Sequence, residues 1–262
     1  MLIPVLVLIG AACGVTTVLF GFGGGFVAVP VVVWADSALG PDAMRVAVAT
    51  SAVVMVVNAT VATASAPREV LAGLRRSGTL LALLAVGGAL GAAAARFVSA
   101  PVIAWCFVAY VAATILDTVI RPGFLRRGPA GAPRPLPAAV GVPIGAVASF
   151  LGVGGSVLTV PMLRRAGHPM ESATVLANPL TAAISIPAAA VFLLRASGHP
   201  VGAHGGVVGA VDMGAAAVLL VGAIPVIVWL RRRGPKIPDA VHARCYVAML
   251  AAALVAMTVA AV

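Results

Sequence analysis

Charged residues are spaced along this chain so that long apolar stretches alternate with short charged ones. No Asp, Glu, Lys or Arg occurs within 1–35, 46–67, 77–95, 97–116, 135–163, 172–194, 213–230 or 245–262. A helix needs about 20 apolar residues to cross the ~30 Å hydrocarbon core of a bilayer, and most of these stretches match that length. Two do not. Stretches 1–35 and 135–163 are too long for one straight crossing, because about 35 residues of helix would reach roughly 50 Å. Each is broken by glycine, at Gly21-Phe-Gly-Gly-Gly25 and at Gly152-Val-Gly-Gly-Ser156.

The two breaks are copies of one another. Phe20-Gly-Phe-Gly-Gly-Gly-Phe-Val-Ala-Val-Pro30 matches Leu151-Gly-Val-Gly-Gly-Ser-Val-Leu-Thr-Val-Pro161 position by position. Downstream, Ala49-Thr50-Ser51 corresponds to Ala177-Asn178-Pro179 after a loop that is shorter in the second copy. Cys106-Phe-Val-Ala109 and Cys245-Tyr-Val-Ala248 also correspond. The chain therefore reads as a tandem duplication. A first transmembrane repeat occupies 1–121, a Pro/Gly/Arg-rich cytoplasmic linker 122–135, and a second transmembrane repeat 136–262.

The basic residues decide how the copies are oriented. If every apolar stretch crossed once, the Lys and Arg residues would divide almost evenly between the two sides. If each glycine-broken stretch instead dips in and returns, all but Arg45, Arg96 and Arg195 of the 17 basic residues share one side. The rule that cytoplasmic loops carry the positive charge selects the second arrangement. Three crossings per copy make the repeats inverted and place both termini outside, an architecture common in secondary transporters. The expected fold is all-α and polytopic: two inverted repeats, each of three spanning helices plus a glycine-broken re-entrant pair. Counted conventionally, that is seven or eight membrane segments.

Composition agrees. Hydrophobic residues make up 62% of 262 and charged residues 9%, far below the quarter or so that covers a soluble surface. The net charge of +10 sits in clusters between apolar runs. With no basic domain, aromatic platform or zinc spacing, nucleic acid is not an expected partner. Cys13, Cys106 and Cys245 are odd in number, lack a CxxC spacing and read as small core residues. The N-terminal stretch lacks a basic leader and reads as a retained membrane segment.

Non-helical backbone at membrane depth survives only against protein or a water-filled cavity. Each glycine break therefore marks a place where the chain leaves the helix near the midplane and a new helix starts, at about Phe26 or Val157. Helix starts present unsatisfied N–H groups and the positive end of a dipole, and glycine lets a ligand approach them closely. The candidate substrate-binding set is Gly23, Gly24 and Gly25 with Gly154, Gly155 and Ser156, joined by Thr50, Ser51, Asn178 and Thr181. Asn58 belongs to the same polar group. Plain packing is the competing role for the glycines, as at Gly87–Gly91 and Gly205–Gly209. The hydroxyls and amides could equally satisfy their own helices.

Asp212, among small residues near the end of a span, is the candidate for coupling a proton; a solvated helix end is the other reading. Asp117 and Arg121 have the spacing of a helical ion pair. Glu171 suits the start of a helix after Pro169. His168, His199, His204 and His242 fall in loops or at span ends. No metal or cofactor site and no catalytic motif is evident: the chain lacks H-E-x-x-H, a G-x-x-x-x-G-K-[ST] loop, and the third glycine of G-x-G-x-x-G. An enzyme is not expected.

The paired motif G-x-G-G-[GS]-x-x-x-x-V-P, each copy followed by Ala-Thr-Ser or Ala-Asn-Pro, resembles the sulfite exporter TauE/SafE family of bacterial permeases across essentially the whole chain. That resemblance implies a multi-pass inner-membrane carrier for a small sulfur-containing anion such as sulfite, sulfoacetate or a related organosulfonate. Ser156 in place of a third glycine, and Asn178-Pro179 in place of Thr-Ser, make the two half-sites chemically unequal. From the residues themselves, the reading is a secondary transporter that clamps a small anion between two half-helix starts by alternating access. A permease for another anion or a metal cation, or a non-transporting membrane assembly protein, are the alternatives. The expected partners are a small anionic substrate and the lipid bilayer, with homo-oligomerisation left open.

Overall fold

Helices follow the apolar stretches because a backbone in lipid has to satisfy its polar groups internally. The computed structural model describes residues 2–35, 43–125, 133–194, 207–234 and 237–261. Arg126, Arg127, Arg195, His199, His204, Gly205 and Lys236 lie outside the described residues. The helices are α1 (Leu2–Phe20), α2 (Gly25–Ala35), α3 (Ala43–Ala64), the short α4 (Arg68–Leu71), α5 (Gly78–Ala94) and α6 (Ala100–Ile120). The second half holds α7 (Gly141–Leu151), α8 (Ser156–Arg165), α9 (Met170–Leu193), α10 (Met213–Arg233) and α11 (Asp239–Ala261). A two-stranded antiparallel pair, β1 (Val207–Val208) and β2 (Val211–Asp212), was not expected. Its turn uses Gly209, so that glycine bends a hairpin instead of packing helices.

Among the described residues, six helices are long and apolar enough to cross a membrane: α1, α3, α6, α9, α10 and α11. A seventh segment passes only if α4 and α5, bent by 78°, are taken together. The helix ends sort onto two faces. On one, Asp117 near the end of α6 holds Arg121 at 3.2 Å and Arg165 of α8 at 2.7 Å. The same face gathers Arg75, Arg76, Arg134 and His168 around one cavity, and Arg231, Glu171 and His242 around another. On the opposite face, Arg45 at the start of α3 donates to Val98 O at 2.9 Å, and Arg96 and Phe192 lie close by.

The glycine-broken pairs turn back. Helix α1 runs parallel to α10, with Gly10 against Leu219 and Gly14 against Ala223; a methyl group at Gly10 would sit 2.1 Å from Leu219 O. It therefore starts on the opposite face, and its last turn reaches the arginine-rich one, where Leu19 shares a cavity with Arg231. Helix α2 then retraces α3 from Asn58 and Met55 toward Val48. In the second half, α7 runs beside α5, with Gly141 at Leu80 and Gly91 at Ala146. Helix α8 returns to the arginine-rich face, ending at Arg164 and Arg165. One hairpin thus enters from each face, and the repeats are inverted. Small residues let these helix pairs approach to backbone contact where lipid offers no hydrophobic drive.

Arg164 locks the second hairpin. Its guanidinium, buried completely, grips both carboxylate oxygens of Asp239, one of them at 2.8 Å, and donates from Nε to Phe124 O at 2.9 Å. Asp239 Oδ1 also accepts from Met170 N at 2.9 Å. One pair thereby ties the end of α8 to the starts of α9 and α11. Cys13 is buried as expected, whereas Cys106 and Cys245 are exposed on the outside of the bundle. An apolar run cannot separate interior from lipid-facing positions, because both are apolar in a membrane protein.

Candidate functional site

The two glycine breaks meet at Met55 of α3 and Thr181 of α9. Both half-helices begin one residue earlier than their sequence pattern suggests, α2 at Gly25 and α8 at Ser156. Matching glycines take the left-handed conformation in the two copies: Gly21 and Gly23 at φ 75° and 64°, Gly152 and Gly154 at 69° and 72°. Gly24 follows at 87°, whereas Gly155 has an ordinary φ of −74°. At Gly23 and Gly154 glycine is required twice over. Any other residue would be strained in that conformation, and a methyl group would sit 2.9 Å and 3.1 Å respectively from Thr181 Cγ2.

Thr181 of α9 and Met55 of α3 sit between the loops. A methyl group at Gly154 would also lie 3.0 Å from Met55 Sδ and 3.3 Å from Phe22 O of the first loop. The whole of 21–26 and of 151–157 is buried. Aromatic rings support this centre: Phe22 stands 4.8 Å from Phe26 and 5.1 Å from Tyr246. The Tyr246 hydroxyl lies 3.1 Å from Ser156 O and 3.2 Å from Val157 O, so it can donate to the carbonyls of the first turn of α8.

Polar side chains converge here with their hydrogen-bonding capacity unused. Ser156 Oγ, Thr159 Oγ1, Thr181 Oγ1 and both polar atoms of Asn58 are buried and have no partner among the described residues. Asn58 Nδ2 lies where a side chain on Gly24 would begin, 2.7 Å from that point. The start of α8 carries no side-chain cap. Leaving a buried donor or acceptor unpaired costs about 1–3 kcal/mol, so such a cluster in a folded chain calls for a reason. The unused groups are hydroxyls and an amide beside two helix N-termini. Among the described residues, no three His, Cys, Asp or Glu side chains assemble into a metal site.

The expected residues divide into two sets. Gly23, Gly24, Gly25, Gly154, Gly155, Ser156 and Thr181 come together at the loops. Ser51 joins them, its hydroxyl 3.0 Å from Gly152 O and 2.8 Å from Val48 O. Thr50 and Asp212 are engaged with each other, whereas Asn178 stands beside the first loop with its Nδ2 bonded and its buried Oδ1 without a partner among the described residues. Thr50 Oγ1 accepts from Asp212 N at 3.0 Å, and Asp212 caps α10 by accepting from Ala215 N at 2.9 Å. Asn178 Nδ2 reaches Thr174 O at 3.1 Å and Thr17 O at 3.4 Å, bridging α9 to the end of α1.

Met55, Tyr246 and the Arg164–Asp239 pair were not singled out from the sequence. Tyr246 could have been, as one of two tyrosines in the chain; Met55 carries no signal among so many apolar neighbours. His242 does lie at a span end, but it is buried on the first turn of α11 with Nε2 against Leu19 O.

The sulfite exporter TauE/SafE family model matches residues 6–257, so both glycine loops and nearly the whole chain fall inside it. The chain belongs to this family. Its members are membrane permeases for sulfur-containing anions, and the chain is accordingly a multi-pass membrane transport protein. No curated protein and no solved structure matches it.

Proposed function

We propose that this TauE/SafE protein is a secondary transporter that carries a small sulfur-containing oxyanion, such as sulfite or an organosulfonate, across the bacterial inner membrane by alternating access. The anion is held between the starts of α2 and α8. One observation carries the reading: buried hydroxyl and amide groups of Asn58, Ser156 and Thr181 stand unpartnered where two left-handed glycine loops meet. An oxyanion accepts such donors and gains from both helix dipoles. A cation would find no cluster of three His, Cys, Asp or Glu side chains among the described residues; the sulfur groups beside the loops are the lone Cys13 thiol, 3.5 Å from Gly24 O, and the Met55 thioether.

The arginine-rich face is assigned to the cytoplasm. Because the loops are buried, loading requires one hairpin to shift against the α3 and α9 helices that flank it. Ser51, on the Gly152 carbonyl, holds the second loop in register. Asp212, whose backbone N–H donates to Thr50 next to Ser51 while its carboxylate caps α10, is the residue assigned to any coupled proton.

Purified protein in proteoliposomes tests the reading against a panel of sulfite, sulfate, sulfoacetate, taurine, a simple carboxylate and a divalent metal. Flux of sulfite or sulfoacetate is expected, with Gly154→Ala reaching the membrane but losing at least about 90% of it, since a displaced contact of this kind costs more than 1.4 kcal/mol. Flux of the metal alone, or full flux in Gly154→Ala, would refute the assignment.

A further inference from the structure

Three arginines end α10, and they behave differently. Arg232 and Arg233 are exposed, and Arg233 stacks over Trp229 at 4.5 Å. Arg231 turns inward. Its Nε and Nη2 are buried and have no hydrogen-bond partner among the described residues. The residue is half-buried and also lines a cavity of about 260 Å³, together with Glu171, Ser172, Thr174 and His242 and with Val18 and Leu19 of α1. Burying those two nitrogens without hydrogen bonds is costly, and Glu171 offsets the charge only electrostatically.

The floor of this cavity is the back of the central site. Thr174 lines it, and the carbonyl of the same residue accepts from Asn178 and stands 2.7 Å from where a side chain on Gly21 would begin. An occupant of the cavity would therefore rest against the hinge of the first glycine loop. Glu171 opens α9 across the cavity from Arg231, without an ion pair of 4 Å or less between them among the described residues. A guanidinium lining a cavity suits an oxyanion. The nearby carboxylate opposes that anion.

We propose that this cavity is a second oxyanion site, a vestibule in which Arg231 takes the anion on the arginine-rich side before it passes the Gly21 hinge, with Glu171 limiting how tightly it is held. This rests on the anion-transport reading above but uses none of the residues of the central site. The experiment measures sulfite and sulfoacetate flux in oriented proteoliposomes, with substrate offered from either face.

Arg231→Gln is expected to raise the half-saturating concentration about tenfold from the arginine-rich face, with little change from the other face or in maximal rate. Arg231→Lys should recover part of the loss, and Glu171→Gln should lower the half-saturating concentration on that face. Equal losses from both faces, or a lower maximal rate with unchanged half-saturation, would mean that Arg231 serves structure only and would overturn the proposal. So would wild-type behaviour in Arg231→Gln. Gly154→Ala separates the two ideas. If it transports normally while the one-sided Arg231 effect persists, the central site falls and the vestibule stands. If it is inactive while Arg231→Gln is unaltered, the reverse holds.

Discussion

Thr181 has opposite effects on folding and on function. Its hydroxyl is buried without a partner, so Thr181→Val, which keeps the shape, should leave thermal stability in detergent unchanged or slightly raised. The same variant should raise the half-saturating concentration for sulfite about fivefold or more, as loss of a hydrogen bond to a charged ligand does. Lower stability with unaltered transport would mark Thr181 as packing only. Asp239 behaves in the other sense. Asp239→Ala strips the fully buried Arg164 of its counter-charge and should destabilise by about 3 kcal/mol, read as a lower unfolding temperature. Replacing both partners with apolar residues should recover much of that loss. At this scale the sequence was informative where chemistry is rare, at glycines and at polar residues in apolar runs. It could not show that Thr50 accepts from Asp212 N, or that Asn178 Nδ2 reaches Thr17 as well as its own helix, since Asp212 and Thr17 lie on segments distant in sequence.

Helices that touch through glycine are joined backbone to backbone. Gly91 of α5 lies so close to α7 that a methyl group would meet Ala146 O at 2.0 Å. Gly91→Leu should therefore push α7 off α5 and lower stability by about 1–3 kcal/mol, with the half-saturating concentration of the surviving folded protein little changed. A selective loss of affinity would instead connect this contact to the site. The element boundaries were legible from the runs and the glycine clusters because lipid forbids unsatisfied backbone elsewhere. Helix α1 ends at Phe20, where the glycine cluster begins, and reaches the arginine-rich face. The repeats agree in direction and differ in depth: α1 has 19 residues and its counterpart α7 has 11.

For the molecule as a whole, inverted repeats place both chain ends on the face of Arg45 and Arg96. Reporter tags at each end should both read as external in cells, and a cytoplasmic reading for either would refute the proposed orientation. The chain by itself determined the membrane class, the duplication and its inversion, because hydropathy, repeated glycines and charge asymmetry are local properties that survive without coordinates. Tertiary structure alone decided which polar atoms remain unused, that Met55 and Thr181 separate the loops, and that Arg231 turns inward while its neighbours do not. Those outcomes depend on which helix faces pack together, and in a bilayer, where interior and lipid-facing positions are equally apolar, no one-dimensional pattern records that choice.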